Sequence, residues 1–458
     1  MNPLALLCCG IAIVVGSILW LRLHAFLALV LGAYTVALLT PTDALRGYAD
    51  ARVAKGEWSA KVAAKFPDKP AASRVAAEFG RTCANLGILI AMATIIGEAM
   101  LLSGAAEAIA AAMLRWLGAA RAHWAFFVTS FVLCIPVMLD TVMYLLAPLF
   151  KAVARKTGRD YLLLVMCTVA GGTITHSLVP PTPGPLFVAG ELGVPLGLMI
   201  GMGSAIGLGA ASTGVAFARW SNRHHTIAVT AEDGPPPDPA RVLPPLWLAL
   251  IPVVLPIALI GLDASLPAIG GWLGWLVKTI GDKDMALTLG ALAALAPLAS
   301  RNEGATAVKK AIQEGAVILL IIAAGGAFGG ALQQTGIAAQ LAAHFQGIHA
   351  LALPAVFLVT ALVRTAQGSA TVAMITAAPI AKALLAGGAT IHPVYFALAI
   401  GCGSKPFPWM NDAGFWIITR LSGMRESETL RTVSPMMSIQ GVAGLALTLL
   451  AAWVWPLK

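Results

Sequence analysis

The chain has 458 residues, of which 59% are hydrophobic and 11% charged, with a formal net charge of +9. Soluble globular domains carry roughly 25% charged residues, so this chain has too little polar surface to dissolve. Apolar runs of about twenty residues recur along it, as in a polytopic helical membrane protein. Its Lys and Arg residues are scattered over short connections, with no basic stripe interleaved with aromatics, which argues for lipid headgroups and cytoplasmic loops and against nucleic acid. Six cysteines (Cys8, Cys9, Cys83, Cys134, Cys167, Cys402) lie in or beside apolar runs at no metal-ligand spacing and read as buried thiols.

In chain order, Leu4–Leu21 and Ala25–Leu39 are the first spans. No basic region precedes the first and no small-residue cleavage site follows it, so it reads as retained rather than removed. The next stretch, to about Ser73, carries Arg46, Arg52, Lys55, Lys61, Lys65 and Lys69 among acidic residues; it has helical character and is expected on the membrane surface. SNRHHTIAVTAEDGPPPDPARVLPP, at 221–245, is the most loop-like segment. His224 and His225 within it read as an exposed pair rather than a metal site. The expected organisation is N-terminal spans at 1–40, a polar surface segment at 41–80, a first transmembrane repeat at 81–220, the central loop at 221–245, additional spans at 246–305 and a second repeat at 306–458. Ten to fourteen spans are expected in all. The basic connection Lys151, Arg155, Lys156 and Arg159 is expected in the cytoplasm, as is the Arg219–Arg223 segment.

The two repeats align at a constant offset of about 230 residues, the signature of a duplicated unit. Gly97–Ala110 falls on Gly329–Ala342 and Val128–Ala152 on Val359–Ala383, with Met143 on Met374, Pro148 on Pro379 and Lys151 on Lys382. THSLVPPTPGP falls on KPFPWMNDAGF, placing Gly184 on Gly414. Paired repeats in a membrane protein point to a transporter whose substrate sits near the midplane, where interrupted helices from each half meet. The expected fold is therefore an all-α polytopic membrane protein of two homologous repeats, of the inverted kind, with interrupted or re-entrant helices.

The breaks come in pairs and carry the candidate chemistry. In hydrocarbon a broken helix leaves backbone groups unpaired, so a break persists only against protein or a wet cavity. Asp140 lies in apolar sequence, where a carboxylate costs roughly 2.5–3.5 kcal/mol on insertion scales; it reads as a proton carrier, or as the partner of a cation such as Arg364. Gln367, Gly368, Ser369 and Thr371 form the second-half counterpart, with a close backbone and polar groups for a polyhydroxylated ligand. Arg364 is placed to fork onto a carboxylate or to snorkel. Pro180, Pro181, Pro183 and Pro185 interrupt another span beside His176, which can donate, accept or carry a proton, or brace the loop. In the partner break Asn411 and Asp412 fit a helix cap as well as a cation or proton site, and Lys405 is a cation facing either cavity or headgroups. Glu98 is a weaker candidate proton carrier. No nucleotide-binding loop, metalloprotease helix, nucleophile elbow or paired-cysteine spacing appears, so neither an enzyme nor an ATP-driven pump is expected, and no cofactor or metal.

ITHSLVPPTPGP, RTAQGSATVA and NDAGFW resemble signature segments of the gluconate:proton symporter (GntP) family, and LRLHAFLALVL, the IPV…D stretch and GGAF…TGIA are similar to it as well. The resemblance runs in order over nearly the whole chain. It implies a secondary transporter of the ion-transporter superfamily type in a bacterial inner membrane, carrying a sugar acid or related small organic anion inward with protons, often as a homodimer. Sodium in place of protons, or an amino acid such as D-serine in place of the sugar acid, are the alternatives. Carried over by motif, His176, Thr182 and Gly184 belong to the first loop, Gln367, Gly368, Ser369 and Thr371 to the second-half break, and Asn411, Asp412 and Gly414 to the ND-G-F-W element. The substrate set is then His176, Thr182, Gly184, Arg364, Gln367, Gly368, Ser369, Thr371, Lys405 and Asn411, with Asp140, Asp412 or His176 as the proton carrier. Three positions depart from the family pattern: Thr182 and Trp409 stand where histidines are usual, and Lys405 where an apolar or small residue is. These departures put gluconate itself in question and point to an altered substrate or proton route.

Overall fold

With no water in hydrocarbon to satisfy backbone N–H and C=O groups, a chain this apolar must close its hydrogen bonds within helices, and it does. The computed structural model describes residues 2–54, 56–225, 227, 243–265, 271–299, 303–337, 351–386, 391–410 and 412–457. Among them α1 (Pro3–Leu19) and α2 (Ala25–Leu39) open the chain, and α3 (Thr42–Ala54) and α4 (Ala60–Lys65) form a polar arm. The first half continues with α5 (Ala71–Leu102), α6 (Ala105–Leu117), α7 (Ala122–Leu133), α8 (Leu139–Thr157), α9 (Tyr161–Leu178), α10 (Pro183–Leu192) and α11 (Leu196–His224). A bridge of α12 (Leu246–Ser265), α13 (Gly271–Gly281) and α14 (Lys283–Ala299) leads into the second half. That half consists of α15 (Gly304–Gln334), α16 (Ala352–Gln367), α17 (Ala370–Ala386), α18 (Pro393–Gly403), α19 (Ala413–Ser422) and α20 (Glu426–Val454).

Among the described residues six segments are long and apolar enough to cross a membrane, or seven if α2 and α3, bent by 100°, count as one. This is fewer than the ten to fourteen expected from apolar runs. Several runs are cut by breaks into helices of 10–17 residues, among them α7, α17 and α18, and at 1.5 Å per residue these fall short of a bilayer core of about 30 Å.

Burial sorts the spans. The broken span α9–α10 is 94% buried, whereas α12 and α20 are 28% buried and present their apolar sides outward. The enclosed helices approach closely at small residues, as packing without a hydrophobic driving force requires. A methyl at Gly171 of α9 would lie 2.4 Å from the Phe127 carbonyl oxygen of α7, and one at Gly403 of α18 would lie 2.5 Å from that of Phe357 in α16. Along α15, Gly326 and Gly330 leave room for Thr82 and Glu78 of α5.

Two polar clusters fix which helix ends meet. The Tyr161 hydroxyl donates to the Ser422 carbonyl at 2.6 Å, and Asn222 joins Asp160 at 2.9 Å and the Leu163 N–H at 3.2 Å. The start of α9 and the ends of α11 and α19 therefore share one end of the molecule. At the other end Glu191, closing α10, accepts from Lys382 of α17 at 3.1 Å and from Gln333 of α15 at 3.0 Å.

The polar stretch after α2 is helical, as expected, and its arm is pinned by Tyr48, Trp58 and Phe66, with ring centroids 4.9 to 5.8 Å apart. Arg52 lies over the Tyr48 ring at 5.2 Å and pairs with Glu57. His224 ends α11 stacked on Trp220 at 4.7 Å; residues 226 and 228–242 of the central loop lie outside the described residues.

Candidate functional site

Each break is closed by local chemistry. Thr182 donates its hydroxyl to the Val179 carbonyl at 2.6 Å, and Pro183 starts α10 at a position where the missing N–H costs nothing. Gly368 ends α16 with φ +80°, left-handed backbone that glycine adopts without penalty. Asp412 caps α19, its Oδ1 accepting the Gly414 N–H at 2.8 Å. The Ser404 hydroxyl donates to Ser177 at 3.0 Å, tying the end of α18 to the end of α9.

These breaks meet around a cavity of about 280 Å³ lined, among others, by Asp140, His176, Arg364, Gly368, Ser369, Thr371, Lys405 and Asp412. Sequence separates these residues by up to 272 positions (412 − 140); the fold brings them to one place. The first turns of α8, α17 and α19 all line it, through Leu139 and Asp140, Ala370 and Thr371, and Ala413 and Gly414. Three positive helix poles therefore face one volume, an arrangement suited to a small anion.

The two cations differ in commitment. Arg364, 2% exposed, donates from Nε to the Ser404 carbonyl at 3.0 Å, from a second nitrogen to the Gly368 carbonyl, and from the third to Asp412. It clamps the α16–α17 break to the α18–α19 break, and its partner is Asp412 rather than Asp140. Lys405, also 2% exposed, donates to the Thr173 carbonyl at 2.5 Å and has no carboxylate within ion-pair distance among the described residues. Asp140 sits in the first turn of α8, partly buried. His176 keeps a buried Nδ1 that meets no hydrogen-bond partner among the described residues.

Thr182 and Gly184 do not line the cavity: the Thr182 hydroxyl closes its own turn, and Gly184 packs against the Met374 methyl. Asn411 and the side chain of Gln367 lie outside the described residues. Glu98 pairs with Lys310 at 2.8 Å, away from the cavity. Thr173 was not singled out in the sequence because it acts through its carbonyl, which leaves no residue-type signal. Gly441 of α20 escaped for a similar reason: any side chain there would meet the Lys405 stem at 3.0 Å.

The chain matches the model of the GntP family permeases over residues 61–454. It is 32% identical over 391 residues to the gluconate permease of Pseudomonas aeruginosa, covering 82% of this chain and 86% of that one. It is 29% identical over 474 residues to an inner membrane permease of Escherichia coli K12, covering 98% of each. Among solved structures it resembles the YdaH transporter of Alcanivorax borkumensis, with a TM-score of 0.61 and 16% identity, over 83% of this chain and 88% of that one; at that identity the likeness shows the fold alone. A match over most of the chain and at least six apolar membrane-length segments make this a multi-pass inner-membrane transport protein, not an enzyme, and a member of the GntP permease family.

Proposed function

We propose that this permease is a proton-coupled symporter of a small hydroxylated carboxylate, with gluconate the first substrate to test. One observation carries the reading: a buried lysine ammonium whose single acceptor among the described residues is the Thr173 carbonyl stands in a cavity that also holds a carboxylate free of Arg364. A buried, unpaired charge is costly, so Lys405 asks for an anion that comes and goes. The substrate carboxylate meets Lys405 and the positive helix poles, while Ser369 and Thr371 bond its hydroxyls.

Charge balance gives the coupling. Arg364 and Asp412 cancel, which leaves Lys405 against Asp140. With Asp140 ionised the pair is neutral and has no need of an anion; with Asp140 protonated the cavity carries one positive charge and accepts a monocarboxylate. Protons then tighten substrate binding and substrate tightens proton binding by the same factor. The commitment of Asp412 to its cap and to Arg364 favours Asp140 as the carrier, with His176 lending its unpartnered Nδ1 to the ligand.

The directions of the helices support an inverted duplication. From the breaks α8 and α19 run to the Tyr161 end, whereas α10 and α17 run to the Glu191 end. The glycine contacts repeat as well, with Phe127 against Gly171 matched by Phe357 against Gly403.

The test is uptake of labelled gluconate into proteoliposomes under an inward proton gradient, with unlabelled sugar acids and D-serine as competitors. Accumulation that is lost in Lys405→Met supports the reading. Uptake driven only by a sodium gradient replaces the coupling ion, and D-serine uptake with no gluconate uptake replaces the substrate.

A further inference from the structure

A second cavity, of about 720 Å³, lies at the Glu191 end beneath the arm. Its floor is the final turns of α10, α15 and α17, where Glu191 holds Lys382 and Gln333. Its roof is α3, which contributes Ala44, Gly47 and Ala51, small residues at helical spacing that leave the volume open. Arg52 from the roof and Arg81 from α5 join Lys382, three cations balanced by Glu57 and Glu191 in the lining and by Glu78 behind Arg81. The cations are fixed in place by their own pairs, Arg52 with Glu57, Arg81 with Glu78, and Lys382 with Glu191. Tyr48, Thr82 and Asn85 add hydroxyl and amide groups of the kind a polyol bonds.

Helix α17 reaches both cavities: Ala370 and Thr371 line the central one, Lys382 and Ala386 the one under the arm. What lies between is a seam of close contacts. Gly184 of α10 meets the Met374 methyl, and Gly325 and Gly329 of α15 meet Ile375 and Pro379. The two cavities thus lie on either side of this seam along α17.

We infer that the arm cavity is a second binding station for the same hydroxylated carboxylate, beyond the α10–α15–α17 seam. The guanidinium groups of Arg52 and Arg81 supply planar donors for the carboxylate, and the hydroxyl and amide groups bond its hydroxyls. This rests on the reading of the central cavity as the carboxylate site, and its test separates the two.

The measurement is equilibrium dialysis of labelled gluconate against the purified full-length protein in detergent. Wild type is expected to bind at two stations per chain. Gly47→Leu fills the arm cavity without a clash, because a Cβ at Gly47 meets no atom within 4 Å and leucine is the better helix former. This variant is expected to keep only the central station, and Arg81→Gln to weaken the arm station at least tenfold. Lys405→Met is expected to keep only the arm station. A wild type with one station, lost in Lys405→Met and untouched by Gly47→Leu, overturns the second station and leaves the proposed function standing. One station lost in Gly47→Leu and kept in Lys405→Met sinks the central reading and leaves the arm cavity as the carboxylate site.

Discussion

Arg364 and Lys405 line the same cavity, equally buried, yet substitution should separate them. Arg364 satisfies two carbonyls and the Asp412 carboxylate, so Arg364→Ala strands a buried charge and acceptors, at a cost of about 3–5 kcal/mol. A large fall in melting temperature in detergent is expected, with transport lost as a consequence. Lys405→Met removes a buried ammonium whose acceptor is one carbonyl; the melting temperature is expected to hold or rise while binding and uptake are lost. Equal destabilisation by both would show Lys405 to be structural. At Asp140 the expected sign follows from the charge count. Wild-type affinity falls as pH rises and the carboxyl loses its proton, whereas Asp140→Asn binds substrate with no such fall and no longer accumulates it against a gradient. Binding that still follows pH in Asp140→Asn, measured by dialysis across the titration range, moves the proton to His176 or Asp412.

Helix breaks are held by backbone geometry that a single methyl group tests. Gly368 sits at φ +80°, so Gly368→Ala costs about 1–2 kcal/mol in left-handed strain and shifts the carbonyl that Arg364 holds. Gly171 and Gly403 make matched approaches to carbonyl oxygens of α7 and α16. Alanine at either position is expected to cost about 1–3 kcal/mol through overpacking, read as a lower melting temperature. If the halves are one duplicated unit, the two losses should be similar. The proposed duplication rests on prolines, glycines and a lysine that recur at one offset in the sequence. The closure of each break was not legible there. Thr182, Asp412 and Gly368 are each compatible with a ligand role in sequence, and only the folded backbone assigns their groups to a turn, a cap and a helix end.

At the scale of the molecule, the Tyr161 end gathers Arg155, Lys156 and Arg159 with Arg219, Arg223 and Arg420, on short connections or helix ends. We propose from the positive-inside tendency of these short connections that this end faces the cytoplasm and the Glu191 end with its arm faces outward. In otherwise cysteine-depleted protein, cysteine in place of Arg159 is expected to react with an impermeant maleimide only in inside-out vesicles, and cysteine in place of Arg46 only in right-side-out ones; the reverse pattern inverts the topology. The sequence by itself determined the membrane class, the helical fold, the helix breaks and the family, because hydropathy, helix breakers and motif order are properties of neighbouring residues. It also named eight residues that line the central cavity. Tertiary structure alone decided how they divide, Arg364 to Asp412 and Lys405 to a carbonyl on another helix, and it withdrew Thr182 from the cavity to close its own turn. It alone placed a second charged cavity under an arm whose sequence shows only a polar surface segment. Which donor meets which acceptor depends on distances across helices far apart in the chain, and local composition does not encode those distances.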